Sequence, residues 1–259
     1  MKSYSHAKAE KINNEFKKYE YNYDLTLKDD KEYIIRFDGV GMTKAFMSKP
    51  ELKKSFLFSM KEAIERFMLN EKDLYFAYSY SDEVSIYLEK TTILRYKNRV
   101  EKLISILASK LTAAFYIAAN NHNLDLSLQL RSFDARIIEL DSINYVIDYF
   151  LCRQSYAISS HLIFLRNKYL DNYYVTSSTS IINQLKNVGI DYEDISRSER
   201  LGLLFVNKEY QVVFEFLADK NRLEDCFEKR KKMLNPFFNK KNKSAVLIKN
   251  KKKYSQAKA

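Results

Sequence analysis

The sequence predicts a mixed α/β body, and three observations carry that prediction. Short β-rich runs at Tyr33–Phe37, Tyr75–Tyr78, Val84–Leu88 and Ser132–Leu140 are separated by long stretches with helical apolar spacing. Acidic turns interrupt the β pattern twice, at Asp38-Gly39 and at Asp82-Glu83. A length of 259 residues, 46% of them hydrophobic and 30% charged, suits one large domain or two small ones with a full core.

Taken in order, Ala7–Tyr19 carries a weak helical pattern with Ile12, Phe16 and Tyr19 on one face. Tyr33–Phe37 is a short strand that breaks at Asp38-Gly39-Val40-Gly41, where two of the chain's four glycines sit. A glycine pair after a strand suits a loop that hugs a ligand, because glycine permits positive φ and close backbone approach. Glu51–Leu69 predicts a helix, with Leu52, Phe56, Met60, Ile64 and Phe67 at three- and four-residue steps. Pro50 precedes it, in the first turn where no amide donor is lost. Tyr75–Tyr78 and Val84–Leu88, joined by Ser79–Glu83, predict a hairpin with the acids at its bend.

The pattern of Ile93–Asn121 predicts one long helix, buried along Leu103, Ile106, Leu107, Leu111, Ala114, Phe115 and Ala118. Ser132–Leu140 is a strand alternating Phe133, Ala135 and Ile137 against Asp134, Arg136 and Ile138, with Asp134 and Arg136 placed as a structural pair. Ser142–Leu170 predicts a second long helix, and Thr176–Asn187 a short one ending near Gly189. Ser196–Arg200 reads either as a loop near RNA or, more simply, as exposed charge; Leu203–Val206 and Val212–Phe216 read as paired strands.

Charge divides the chain. From residue 229 onward there are 12 Lys or Arg and no acid, leaving 32 basic and 33 acidic groups before it out of a net +11. We therefore expect one body over residues 1–228 and a basic extension over 229–259, partly docked through Val246-Leu247-Ile248. That extension reads either as a solvated tail or as a salt-sensitive contact with RNA phosphates. No window reads as the roughly 18 uncharged apolar residues of a membrane span, so no membrane partner is expected. The N-terminus lacks the apolar core of a secretory signal, and cytoplasm is the expected location. Cys152 and Cys226, without a CxxC pair, suggest neither a disulfide scaffold nor a zinc site. His6, His122 and His161 are scattered and support no His-based nucleophile, base or metal cluster.

The two acidic turns are the candidate chemistry. Asp before glycine, or at a hairpin bend, is an ordinary turn residue when taken alone. A strand ending in Asp38-Gly39, a helix, then a hairpin tipped with Asp82-Glu83 places the acids on one edge of one sheet. Mg²⁺ uses one or two carboxylates and keeps other positions for water and substrate phosphates. Two such ions about 4 Å apart clamp the attacking and leaving oxygens of a phosphoryl or nucleotidyl transfer.

Here the sequence resembles a known family. Arg36-Phe37-Asp38-Gly39-Val40-Gly41-Met42-Thr43 and the Lys44-Ala45-Phe46 after it resemble the first metal motif of the tRNA-His guanylyltransferase family, RxDGRxFxxF. Ala77–Lys90, reading AYSYSDEVSIYLEK, resembles its second. Tyr96–Arg99 with Lys102, Ser132–Arg136, Cys152-Arg153-Gln154 and Lys243–Ile248 resemble further family segments in the same order, from about residue 33 to 248. Departures are visible too. Asn98 stands where a second Arg is common, and Thr43 where His is frequent. Tyr156, Ile158, Ser160 and His161 replace the Asp, His and paired Asn of xDCHINN.

The resemblance implies a polymerase- or cyclase-like palm, an antiparallel sheet backed by helices. It implies nucleotidyl transfer with two Mg²⁺ ions, Asp38 and Asp82 bridging them, the Gly39 carbonyl completing one shell and Glu83 in or beside it. ATP, GTP or other nucleoside triphosphates would be held by Arg36, Gly39, Val40, Gly41, Met42, Thr43, Lys49, Ser81, Arg99 and Lys102. The implied partner is the 5′ end of tRNA or another RNA, extended in the 3′-to-5′ direction, either by guanylylating tRNA-His or by repairing truncated tRNAs. The implied assembly is a homo-oligomer, a tetramer by resemblance. Two other readings stay open: a palm that makes a cyclic or oligomeric nucleotide messenger, and a non-catalytic RNA-binding relative.

Overall fold

Strand β1 (Glu32–Gly39) sends alternate side chains to opposite faces, and this sets the layers of the molecule. The structure, a computed structural model, describes residues 25–206 apart from 72, 75, 127–129 and 171–176. Tyr33, Ile35 and Phe37 enter one apolar cluster and Ile34 another, all four fully buried. A strand with both faces buried needs a covering layer on each side.

The first layer is two long helices. Helix α1 (Pro50–Asn70) buries Phe56, Met60, Ala63, Ile64 and Phe67, the stripe its three- and four-residue spacing predicts. Its Pro50 sits at the start, as expected. Helix α2 (Lys90–Arg95) is short, and helix α3 (Val100–Asn121) buries Leu103, Leu107, Leu111, Phe115 and Ala118 beside α1. Phe56 and Phe115 meet edge to face at 6.0 Å, and Phe37 and Phe67 do so at 5.9 Å. Helix α4 (Ile143–Tyr169) covers the other face with Val146, Ile147, Phe150 and Leu151. Its second half packs Ile158, Leu162 and Leu165 on helix α5 (Ser178–Asn187) and on Leu201 of helix α6 (Arg197–Leu201), a separate apolar cluster.

The sheet adds β2 (Phe76–Tyr80), β3 (Glu83–Leu88), β4 (Phe133–Leu140) and β5 (Leu203–Val206) in the order β4-β1-β3-β2-β5, antiparallel throughout. β3 lies between β1 and β2, and β1 between β3 and β4, so both helical crossovers are split by a strand from the other unit. This is the interlocked β-α-β-β-α-β arrangement.

Several expectations need correction. Residues 93–121 are not one helix. Lys97 and Asn98 take φ of 55° and 58°, and this left-handed pair ends α2 and restarts the chain as α3. Buried Glu71 fixes that corner, accepting from Arg95 Nη2 at 2.6 Å and from Lys110. Ser196–Arg200 is neither a loop nor all exposed charge: Ser196 caps α6 by accepting from the Glu199 amide, and Arg200 is buried and donates to Glu193. Leu203–Val206 is a strand, as expected, and pairs with β2; its expected pairing with 212–216 falls outside the described residues. By length and composition alone α3 is long and apolar enough to cross a membrane, contrary to the sequence reading. Its apolar side is nevertheless core, and its Lys110 bridges to Glu71. The expected helix at 7–19, strand at 212–216 and basic extension at 229–259 lie outside the described residues, as does Cys226. Cys152 is an exposed free thiol.

Candidate active site

The acids converge because of strand register. Asp38 stands directly opposite Glu83 on β3 and opposite Asp134 on β4, so the three occupy one row on the α4 face of the sheet. Tyr80 pairs with Glu83, which leaves Ser81-Asp82 as a two-residue turn with Ser81 at φ 56°. The Gly39 amide donates to the Asp82 carbonyl at 3.1 Å, bringing the turn against the end of β1. A Cβ on Gly39 would lie 2.7 Å from Met42 Sδ and 2.8 Å from Asp82 Cβ, so glycine is required for that approach.

Asp82 is buried, and its carboxylate is held. Thr43 donates to Oδ2 through its hydroxyl at 2.7 Å and its amide at 2.9 Å, while Ser81 Oγ donates to Oδ1 at 3.1 Å. Thr43 opens one turn of π-helix, Thr43–Met47, a local irregularity frequent at functional sites. Partial burial, with the Asp82 and Asp134 carboxylates nearby, pushes the Asp38 carboxyl above its ordinary value. Arg136 and Arg36 oppose that rise. Arg136 donates to Asp134 at 3.2 Å, the pairing expected from the sequence.

Glu83 is differently engaged. Both of its oxygens accept from Arg153 of α4, Oε1 from Nε at 2.8 Å and Oε2 from Nη2. This fork on a half-buried carboxylate makes Glu83 a brace between sheet and helix rather than an open ligand. The Tyr156 ring centroid lies 4.9 Å from the Arg153 guanidinium, and the Tyr149 hydroxyl meets Ser85 Oγ at 3.1 Å beneath it.

On the other side of the glycine loop lies a cavity of about 610 Å³, lined by Gly41, Lys44, Phe46, Lys49, Asp125 and Arg131 among others. Gly41 takes φ 66°, and a Cβ there would lie 2.9 Å from Arg131 Nη1. Lys44 and Arg131 were not in the expected set. Neither belongs to an apolar period, and only the folded chain brings Arg131, just ahead of β4, back to Gly41.

The structure thus gathers Asp38, Gly39, Val40, Gly41, Thr43, Ser81, Asp82 and Glu83 at one end of the sheet, with Arg36 beside Asp38 on the same face and Lys49 in the adjoining cavity. It does not gather the rest. Met42 is fully buried in the core, so its side chain cannot reach a ligand. Arg99 and Lys102 lie at the opposite end: Val100 N donates to Leu25 O and Leu27 N to Asn98 O, next to the start of β1. The span from Tyr33 to Asp38 alone is about 17 Å. Arg99 there sits 3.7 Å from Glu101.

Among the described residues no group of three or more His, Cys, Asp or Glu forms a metal cage. Asp38, Asp82 and the Gly39 carbonyl nonetheless suit Mg²⁺. They are hard oxygen donors few enough to leave room for water and phosphate, and the Asp82 and Asp134 carboxylates lie close enough to Asp38 to repel its charge, a crowding that a cation would offset. His161 is buried on α4 and His122 bonds Glu62 at 2.9 Å, so neither joins this site.

The chain is similar to known proteins both in sequence and in fold. The family model described as tRNAHis guanylyltransferase matches residues 13–141. The tRNA(His) guanylyltransferase of Debaryomyces hansenii is 28% identical over 207 residues, spanning 77% of this chain and 72% of that protein. The Schizosaccharomyces pombe enzyme of the same name is 34% identical over 125 residues, 47% of each chain. In fold, the chain is similar to a bacterial tRNA(His) guanylyltransferase-like protein solved in complex with ATP. The TM-score is 0.70 at 19% identity, over 88% of this chain and 99% of that one. The chain belongs to the tRNA(His) guanylyltransferase family.

Proposed function

We propose that this protein is a nucleotidyltransferase that adds nucleotides to the 5′ end of tRNA, growing the strand in the 3′-to-5′ direction on a polymerase-like palm. The observation that carries the proposal is the convergence of Asp38, Gly39 and Asp82 at one end of the sheet, beside a cavity lined by Lys44, Lys49 and Arg131. Similar proteins solved with ATP and with GTP support nucleoside triphosphates as the substrates.

In this reading Asp38, Asp82 and the Gly39 carbonyl would hold two Mg²⁺ ions. The chemistry such ions would supply there is neutralisation of charge at the reacting phosphate and acidification of the attacking hydroxyl. The chain's own residues do the positioning. Thr43 keeps the Asp82 carboxylate in one orientation. The Glu83–Arg153 fork fixes the strand opposite Asp38. Lys44, Lys49 and Arg131 neutralise a triphosphate entering over Gly41, a task suited to cations at fixed positions. The 3′-hydroxyl of the incoming nucleotide attacks the phosphorus of the activated RNA 5′ end. Its proton leaves to solvent, and pyrophosphate departs from a triphosphate end or AMP from an adenylylated one. The proposal includes a homotetramer working in the cytoplasm.

Two of the residues replacing xDCHINN, Ile158 and His161, are buried against α5 and the segment around Tyr192, out of reach of RNA. This favours repair of truncated tRNAs over selection of tRNA-His. The test is nucleotide addition to 5′-labelled tRNAs, full-length tRNA-His in one arm and tRNAs lacking their first nucleotide in the other, with Mg²⁺ and all four nucleoside triphosphates. Addition to truncated tRNAs is expected. Addition confined to tRNA-His would reverse the choice of substrate, and no addition to either RNA would overturn the reading.

A further inference from the structure

Nucleotidyl transfer brings two reactants to one carboxylate pair, and the molecule offers two differently built flanks beside Asp38 and Asp82. The glycine-loop flank is concave and cationic on balance, with Lys44, Lys49 and Arg131 outnumbering Asp125 around a cavity of about 610 Å³, and suits a free triphosphate. The α4 flank is aromatic. Tyr156 is 61% exposed and its ring centroid lies 4.9 Å from the Arg153 guanidinium. That guanidinium is itself locked by two bonds to Glu83, the residue directly opposite Asp38 in the sheet.

We propose that Tyr156, seated on Arg153, is the stacking platform for the terminal base at the 5′ end of the RNA, the reactant that the cationic cavity does not take. The inference rests on the proposed nucleotidyl transfer and adds a residue that reads the RNA end. Bases of single-stranded or frayed ends are held by aromatic rings and guanidinium planes, because every base has a π face whatever its sequence. Here the ring is placed without a conformational search. Glu83 fixes the guanidinium, the guanidinium fixes the ring, and the ring remains largely open to solvent. Because Glu83 neutralises Arg153, the platform binds through stacking more than through charge, and its grip should respond weakly to salt. Tyr156 stands where family members carry Asp, a residue that offers no such face.

The test uses the full-length protein and a tRNA lacking its first nucleotide, with 2-aminopurine as its 5′-terminal base. Without nucleoside triphosphate or metal, wild type and Tyr156→Phe are expected to quench the probe, and Tyr156→Ala to leave it bright. In steady state, Tyr156→Ala is expected to raise the KM for RNA roughly tenfold with kcat little changed, and Tyr156→Phe to behave as wild type. Equal quenching by Tyr156→Ala, or an unchanged KM, would overturn the platform. So would Tyr156-dependent quenching of free 2-aminopurine riboside triphosphate in place of the RNA. If wild type adds no nucleotide, the catalytic reading fails, while the quenching arm still decides the platform.

Discussion

Thr43 donates twice to a single oxygen of Asp82, from its hydroxyl at 2.7 Å and from its amide at 2.9 Å. The loop that follows β1 therefore sets the orientation of a carboxylate carried by a different hairpin. A hydroxyl bond to an ionised acceptor contributes about 1.5–3 kcal/mol. Thr43→Val is expected to lower nucleotide transfer about tenfold and to raise the Mg²⁺ concentration giving half-maximal rate, whereas Thr43→Ser keeps both near wild type. A Mg²⁺ titration of activity for the two variants checks this.

Gly39→Ala puts a methyl group 2.8 Å from Asp82 Cβ and 2.7 Å from Met42 Sδ. Met42 is locked in the core, so the acidic turn must move. A displacement of this size at reacting groups costs on the order of 100-fold in rate. The expected result is a folded protein with transfer reduced by about that factor, read by circular dichroism beside the transfer assay.

The Glu83–Arg153 fork joins the hairpin to α4, with both side chains about one fifth exposed. Removing one partner strands the other in a half-buried site, a loss of about 2 kcal/mol after allowance for the exposure. Arg153→Ala is expected to lower Tm by about 4–8 °C in a thermal melt.

Much of the fold was legible because its signals are periodic. The stripe from Phe56 to Phe67 and the alternation from Phe133 to Ile137 each repeat over several turns or pairs, and both appear as read. The split at Lys97-Asn98 was not legible, since two residues at positive φ leave the apolar period on either side intact. Asp38 and Asp82 were legible as a pair because the strand–helix–hairpin order puts them at one end of the sheet. The engagements of Glu83 and Thr43 were not, because each depends on a side chain from another element. Arg99 and Lys102 show the reverse failure: a motif resemblance placed them with the acids, while the chain path places them a strand length away.

His161 carries a pH prediction. Burial first, then the neighbouring Lys53 and Arg200 cations, depress its pKa to about 4, and Glu199 opposes them only in part. The native state therefore keeps it neutral while the unfolded chain takes up a proton below the ordinary value near 6.5. The unfolded state binds more protons in that window, so stability falls as pH drops from about 6.5 to about 4 and levels off below. The full loss is roughly 3 kcal/mol. His161→Phe is expected to flatten that part of the stability profile, as measured by urea unfolding at a series of pH values.

The central claim is that Asp38 and Asp82 together carry nucleotidyl transfer, and single-turnover addition to a 5′-truncated tRNA tests it most directly. Asp38→Asn and Asp82→Asn keep shape and remove charge. The account predicts that each slows addition by at least ~100-fold while RNA binding stays within about twofold of wild type. Either variant adding nucleotides at the wild-type rate would contradict it.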